Sequence, residues 1–214
     1  MAEYREMFGL SDADLERSII DCAGGPASFN AEMADRGKYV VSCDPVYQFS
    51  IQQIRQRIDE TAPKIIAAVE ANYDRFMWDK FGSIEGLIDT RMQAMTTFLE
   101  DFELGKDRGR YRQEELPNLP FENNTFDLAL SSHLLFTYSD QLPLNFHLDA
   151  IAEMLRVAKE VRIFPLLVNM TGEVSPYLEP AIEHFERLGD RVATQAVDYE
   201  FQQGGNQMLK ITRD

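Results

Sequence analysis

The sequence predicts an α/β fold: a doubly wound, mostly parallel sheet that ends in an antiparallel C-terminal hairpin strand and carries a helical insertion after its second strand. Three observations predict it. The run 18–22, Ser-Ile-Ile-Asp-Cys, is followed at once by the turn Ala23-Gly24-Gly25-Pro26-Ala27-Ser28 and a helical stretch from near Phe29, which is the pattern of strand, tight turn and helix. A second run, 38–43, stops at Asp44-Pro45, where the missing proline N–H forbids a central ladder. These two runs bracket a βαβ unit. At the far end, the runs 191–202 and 207–212 flank Gln203-Gly204-Gly205-Asn206 and read as a hairpin.

Length and charge bound the rest. The chain has 214 residues, with 21 Lys+Arg against 36 Asp+Glu and a net charge of −15. That length suits one domain, 1–214, with a sub-domain inserted. The acidic balance argues against a nucleic-acid partner, because tracking phosphates needs clustered cations. No run approaches the 18 apolar residues of a spanning helix, and MAEYREMFGL lacks the basic-then-apolar pattern of a signal peptide, so no membrane partner and a cytoplasmic location are expected. Cys22 and Cys43 read as two free thiols of a reducing compartment, and no metal site is expected.

The remaining elements follow from pattern. Ser11 caps a short helix opening with Asp12 and Asp14, with Leu10 and Leu15 as its hydrophobic staple. Residues 49–105 form the helical insertion: Ile51, Ile54 and Ile58 recur at helical spacing, and Pro63 opens a second helix with Ile65, Ile66 and Val69. A third helix runs from near Ser83 to about Gly105 with Ile84, Leu87, Ile88, Met92, Met95, Leu99 and Phe102 on one face. The sheet resumes with the short strand 109–113 and the strong strand 126–132. A helix from about Leu148 turns Ile151, Met154 and Leu155 inward, the strand 161–168 has Pro165 at its end or at a bend, and 176–188 is helical. Arg108, Arg110 and Arg112 read as a solvated strand edge, His147 and His184 as surface or capping residues, and Met92 and Met95 as core filling.

Ligands in such sheets bind outside the carboxyl ends of the strands, where the strand order reverses. Asp21, the 23–28 turn and Asp44 fall there. Small residues let backbone approach a ligand, the following helix start offers unpaired N–H groups, and a carboxylate ending the second strand can accept hydrogen bonds from ribose hydroxyls. The pattern points to a nucleoside-containing ligand.

With Ile20-Asp21-Cys22-Ala23-Gly24-Gly25-Pro26-Ala27 as a glycine-rich first motif, Val41-Ser42-Cys43-Asp44 as a second strand, and 115–121 with Phe126-Asp127-Leu128-Ala129-Leu130-Ser131 as later motifs, the chain resembles the class I S-adenosylmethionine-dependent methyltransferases. The resemblance spans nearly the whole chain except the insertion. It implies a Rossmann-like, seven-stranded sheet and S-adenosyl-L-methionine as cofactor. Asp21 and the backbone of Ala23, Gly24, Gly25, Pro26 and Ala27 would hold the methionine portion, and Asp44 the ribose. Pro45 and Val46 would line the adenine, Glu115 and Leu116 would meet its amino edge, and the Ser131 carbonyl would face the methionine amine. The chain departs from the family in having Ala23 and Ala27 where glycine is usual, which penalises a positive φ at either position.

Methyl transfer from a sulfonium is an in-line displacement governed by positioning in a water-poor site. His133 as general base and Tyr138, with Asp140 beside them, follow the fourth strand at the acceptor end. The expected partner is a small-molecule or protein methyl acceptor, covered by the N-terminal segment and the 49–105 insertion acting as a lid. A second reading is a non-catalytic protein that binds S-adenosylmethionine or S-adenosylhomocysteine as a sensor or subunit. A third, a nicotinamide-dependent oxidoreductase, lacks the G-x-G-x-x-G signature.

Overall fold

β1 (Ile19–Cys22) and β2 (Val40–Cys43) are buried along their whole length, as expected of short apolar strands paired on both sides. The structure, a computed structural model, describes residues 1–213. β1 pairs in parallel with β2, from Ile19↔Val40 to Cys22↔Cys43, and on its other side with β4 (Phe126–Ser132), from Ile19↔Leu128. Beyond β2 lies the two-residue β3 (Tyr111–Arg112); beyond β4 come β5 (Ala158–Phe164), β7 (Gln207–Thr212) and β6 (Arg191–Ala196). Among the described residues the seven strands form one sheet in the order β3-β2-β1-β4-β5-β7-β6, parallel up to β5, with β7 antiparallel to both neighbours. The order reverses between β1 and β4, so the ligand end of the sheet is at Cys22 and Ser132.

The alternation of side chains divides the core into two layers. On one face α5 (Leu144–Val157) and α6 (Leu178–Arg187) pack Ile151, Met154, Leu155 and Phe185 against Ile20, Ala129, Val161 and Ile211. On the other, α1 (Ala2–Phe8) and α2 (Phe29–Asp35) pack Tyr4, Met7, Phe8, Phe29 and Met33 against Ile19, Val40, Leu128 and Leu130. α3 (Ile51–Ala71) and α4 (Ile84–Asp107) pack on each other and on the β3 edge, with Ile54, Ile58, Phe98 and Phe102 around Tyr47 and Tyr111. The Ser50–Gln53 capping box starts α3 and the Ser83 hydroxyl caps α4.

Several details differ from the sequence expectation. Pro63 does not open a helix but lies inside α3. It is exposed, as is Asp59, whose carbonyl the ring deprives of a donor, so that carbonyl is open to solvent where the helix continues. Ser11 precedes only a 3-10 turn, Asp14–Glu16, exchanging hydrogen bonds with Asp14, and the unanticipated α-helix is α1, closed by Gly9 at φ 55°. Arg110 is buried, not a solvated edge, because Asp101 of α4 pairs with it through two nitrogens. His147 is buried as well, since α5 starts four residues earlier than expected and draws it inside. Cys22 and Cys43 are free thiols side by side in the sheet. Among the described residues no helix is long and apolar enough to cross a membrane.

Candidate nucleoside-binding site at the sheet reversal

Asp21 is the third residue of β1, so its side chain points toward α1 and α2. It is buried there, with the Tyr4 hydroxyl donating to both carboxylate oxygens at 3.3 Å and the Ser42 hydroxyl donating at 3.3 Å. Burial outweighs these hydrogen bonds, and the carboxyl is pushed up to about 7. The Tyr4 oxygen also lies 3.5 Å from Ser132 Oγ, so α1 bridges the ends of β1 and β4.

The turn after β1 wraps closely over this carboxylate. Ala23 and Gly25 take φ of 61° and 53°, whereas Ala27 stays outside the left-handed region. The N–H groups of Ala23 and Gly24 donate to the Cys43 carbonyl, which ties the turn to the end of β2. A Cβ on Gly24 would lie 2.5 Å from Asp21 Oδ2 and 2.9 Å from the Tyr47 oxygen, so glycine is required there by space. The Tyr47 hydroxyl donates to the Gly25 carbonyl at 2.7 Å. Pro26 and Ala27 are half-buried.

Asp44 faces this turn. Its Oδ2 accepts the Gly25 N–H at 3.0 Å and its Oδ1 the Val46 N–H at 2.8 Å. Partial burial raises its carboxyl despite those two donors, and the nearby Glu115 charge adds to the rise. The half-buried Pro45 and Val46 open a 3-10 turn, Pro45–Gln48. Glu115 is exposed and Leu116 buried. Asp21, residues 23–27, Asp44, Pro45, Val46 and Glu115 are therefore brought to one end of β1 and β2.

The β4 side is less uniform. Ser131 is fully buried and its hydroxyl has no partner among the described residues. His133 sits just past β4 with φ 56°, its N–H donating to the Phe164 carbonyl at 2.8 Å and its ring edge-on to Phe164 at 5.9 Å. His133 is exposed at the surface of the site; desolvation and then the Arg91 cation push its imidazole down to about 4. Tyr138 is half-buried in the turn beyond, its N–H donating to the Leu134 carbonyl, and Asp140 is exposed. Sequence reasoning missed Tyr4, Ser42, Tyr47 and Arg91. The spacing of Tyr4, Met7 and Phe8 carried a helical signal, but nothing local linked it to Asp21.

No family model matches the chain. The uncharacterized protein MJ0045 of Methanocaldococcus jannaschii is 31% identical over 212 residues, covering 99% of this chain and 92% of that protein. The chain belongs to its family. The chain has the fold of the class I methyltransferases: the magnesium protoporphyrin IX methyltransferase of Synechocystis PCC 6803, solved with bound SAH, superposes with a TM-score of 0.52 at 12% identity, over 95% of this chain and 77% of that one.

Proposed function

We propose that this protein is an S-adenosyl-L-methionine-dependent methyltransferase acting on a small-molecule or protein acceptor. The observation that carries the reading is Asp44: a carboxylate ending β2, held against the left-handed Gly25 turn by one N–H on each oxygen, with lone pairs left for two ribose hydroxyls. The SAH bound to the Synechocystis enzyme of the same fold supports the choice of nucleoside. The residues present fit such a ligand, because the donor set around the turn combines that carboxylate with a tight glycine-bearing backbone.

Asp44 holds the ribose, Pro45 and Val46 line the adenine, and Glu115 and Leu116 meet its amino edge. Asp21 and the backbone of Ala23, Gly24, Gly25, Pro26 and Ala27 hold the methionine portion, and the Ser131 carbonyl faces its amine. When bound, the cofactor supplies an electrophilic methyl on a sulfonium. His133 and Tyr138 orient the acceptor; at neutral pH the His133 ring is uncharged and free to accept a proton, although its lowered basicity limits the pull it exerts. In-line displacement tolerates that, because positioning supplies most of the rate. α1 and the 49–105 helices act as the lid that keeps water out.

Calorimetric titration with S-adenosylhomocysteine, with NAD as the parallel ligand, tests the reading. The expected result is micromolar binding of the first alone, weakened in Asp44→Ala by about 1.5–3 kcal/mol for the loss of a charged acceptor. Binding of NAD without S-adenosylhomocysteine, or an Asp44→Ala variant with undiminished affinity, overturns it.

A further inference from the structure

Two cations stand on the acceptor side of the site, and both are matched by carboxylates of one short helix. Arg91 of α4 donates to Glu3 at 2.6 Å and to the Tyr199 hydroxyl at 2.9 Å, and that hydroxyl donates to Glu3 at 3.1 Å. Lys80 pairs with Glu6 and lies 4.8 Å over the Tyr199 ring. Tyr199 meets Phe164 edge-on at 5.6 Å, and Phe164 meets His133, so the cation pair adjoins the histidine that follows β4. Glu3 and Glu6 belong to α1, the helix whose Tyr4 hydroxyl rests on Asp21.

These contacts are coupled. Because Glu3, Tyr4 and Glu6 share one helix, a ligand group that took the place of the Tyr4 hydroxyl on Asp21 by shifting α1 would also draw Glu3 and Glu6 away from Arg91 and Lys80. Arg91, half-buried between α1 and Tyr199, then lacks its carboxylate partner, and an incoming anion can take that place. At a net charge of −15 the chain repels anions at range, so a local cation pair is what an anionic substrate needs in order to be retained.

We infer that the methyl acceptor carries an oxyanion, a carboxylate or a phosphate, which Arg91 and Lys80 bind in the place that Glu3 and Glu6 hold when α1 is closed. The inference rests on the methyltransferase reading, and its test separates the two. S-adenosylhomocysteine affinity is measured in chloride, succinate and inorganic phosphate at matched ionic strength, for the wild-type protein, Glu3→Gln, and the double variant Arg91→Gln with Lys80→Gln. In the wild type one oxyanion tightens binding by about fivefold or more, the low end of coupling between two sites. Succinate alone doing so marks a carboxylate, and phosphate alone marks a phosphate. Glu3→Gln, which loosens α1 without removing a cation, tightens binding already in chloride. The double variant loses the oxyanion response.

Equal affinity in all three salts, or a response that survives in the double variant, overturns the inference and leaves the cofactor reading standing. No binding of S-adenosylhomocysteine by any form overturns the cofactor reading and this inference with it.

Discussion

Asp21 is a carboxyl that the folded protein keeps from ionising easily. Its pKa is about 7 in the fold against an ordinary 3.8, so between those values the native state holds a proton that the unfolded chain has released. Stability from this group is full below about pH 4, falls as pH rises toward 7 and then levels off. Asp127, held down to about 2 by Lys159 and Ser18, acts in the opposite sense and loses its contribution on acidification below about 4. We therefore expect Asp21→Asn to be more stable than wild type by about 2–4 kcal/mol at pH 8 and equal to it near pH 4. Urea unfolding across that range checks this; a gap independent of pH removes Asp21 as the cause. Ala23 carries a methyl at φ 61°, so Ala23→Gly should be neutral or stabilising by up to about 1 kcal/mol in the same assay, after the glycine's extra chain entropy is subtracted. The turn and Asp44 were legible in the sequence because small residues and Asp-Pro act locally. Tyr4 and Arg91 were not: their partners lie 17 and 88 residues away and become neighbours only through packing.

Among the elements, α4 was readable from its apolar face and its Ser83 cap, but its fastening to the sheet was not. Asp101 on α4 accepts two hydrogen bonds from Arg110, at 2.8 and 2.6 Å, and a third from the Tyr111 hydroxyl at 3.0 Å. Arg110 reaches on to Asn30, whose amide binds the Val40 and Arg110 carbonyls and the Ser42 hydroxyl. One buried network thus joins α2, α4, β2 and β3, and Ser42 continues it to Asp21. Alternating arginines around a short strand gave no sign of this, because a buried charge is betrayed only by the acid that folds onto it. Asp101→Ala leaves Arg110 buried and unpaired and should cost about 3–5 kcal/mol. A thermal or urea melt shifted by less than about 1 kcal/mol would show that the network contributes little.

Across the whole molecule, burial is uneven. Ile54, Ile58 and Val69 are the buried residues of α3, and between Ile58 and Val69 none is buried, whereas β1 and β2 are buried throughout and β4 nearly so. Amide exchange should therefore be faster in 59–68 than in β1 and β4. Uniform protection across α3 and the central strands would contradict this. The placement of β7 between β5 and β6 has a consequence for how the chain is made. β6 leaves the ribosome before the strand that joins it to the sheet, and its side chains are mostly exposed even when paired. Until residues 207–212 emerge, β6 has no partner and the free edge of β5 is open to other chains. Vectorial synthesis therefore completes this sheet from within, with the last strand in chain order closing a gap rather than adding a border.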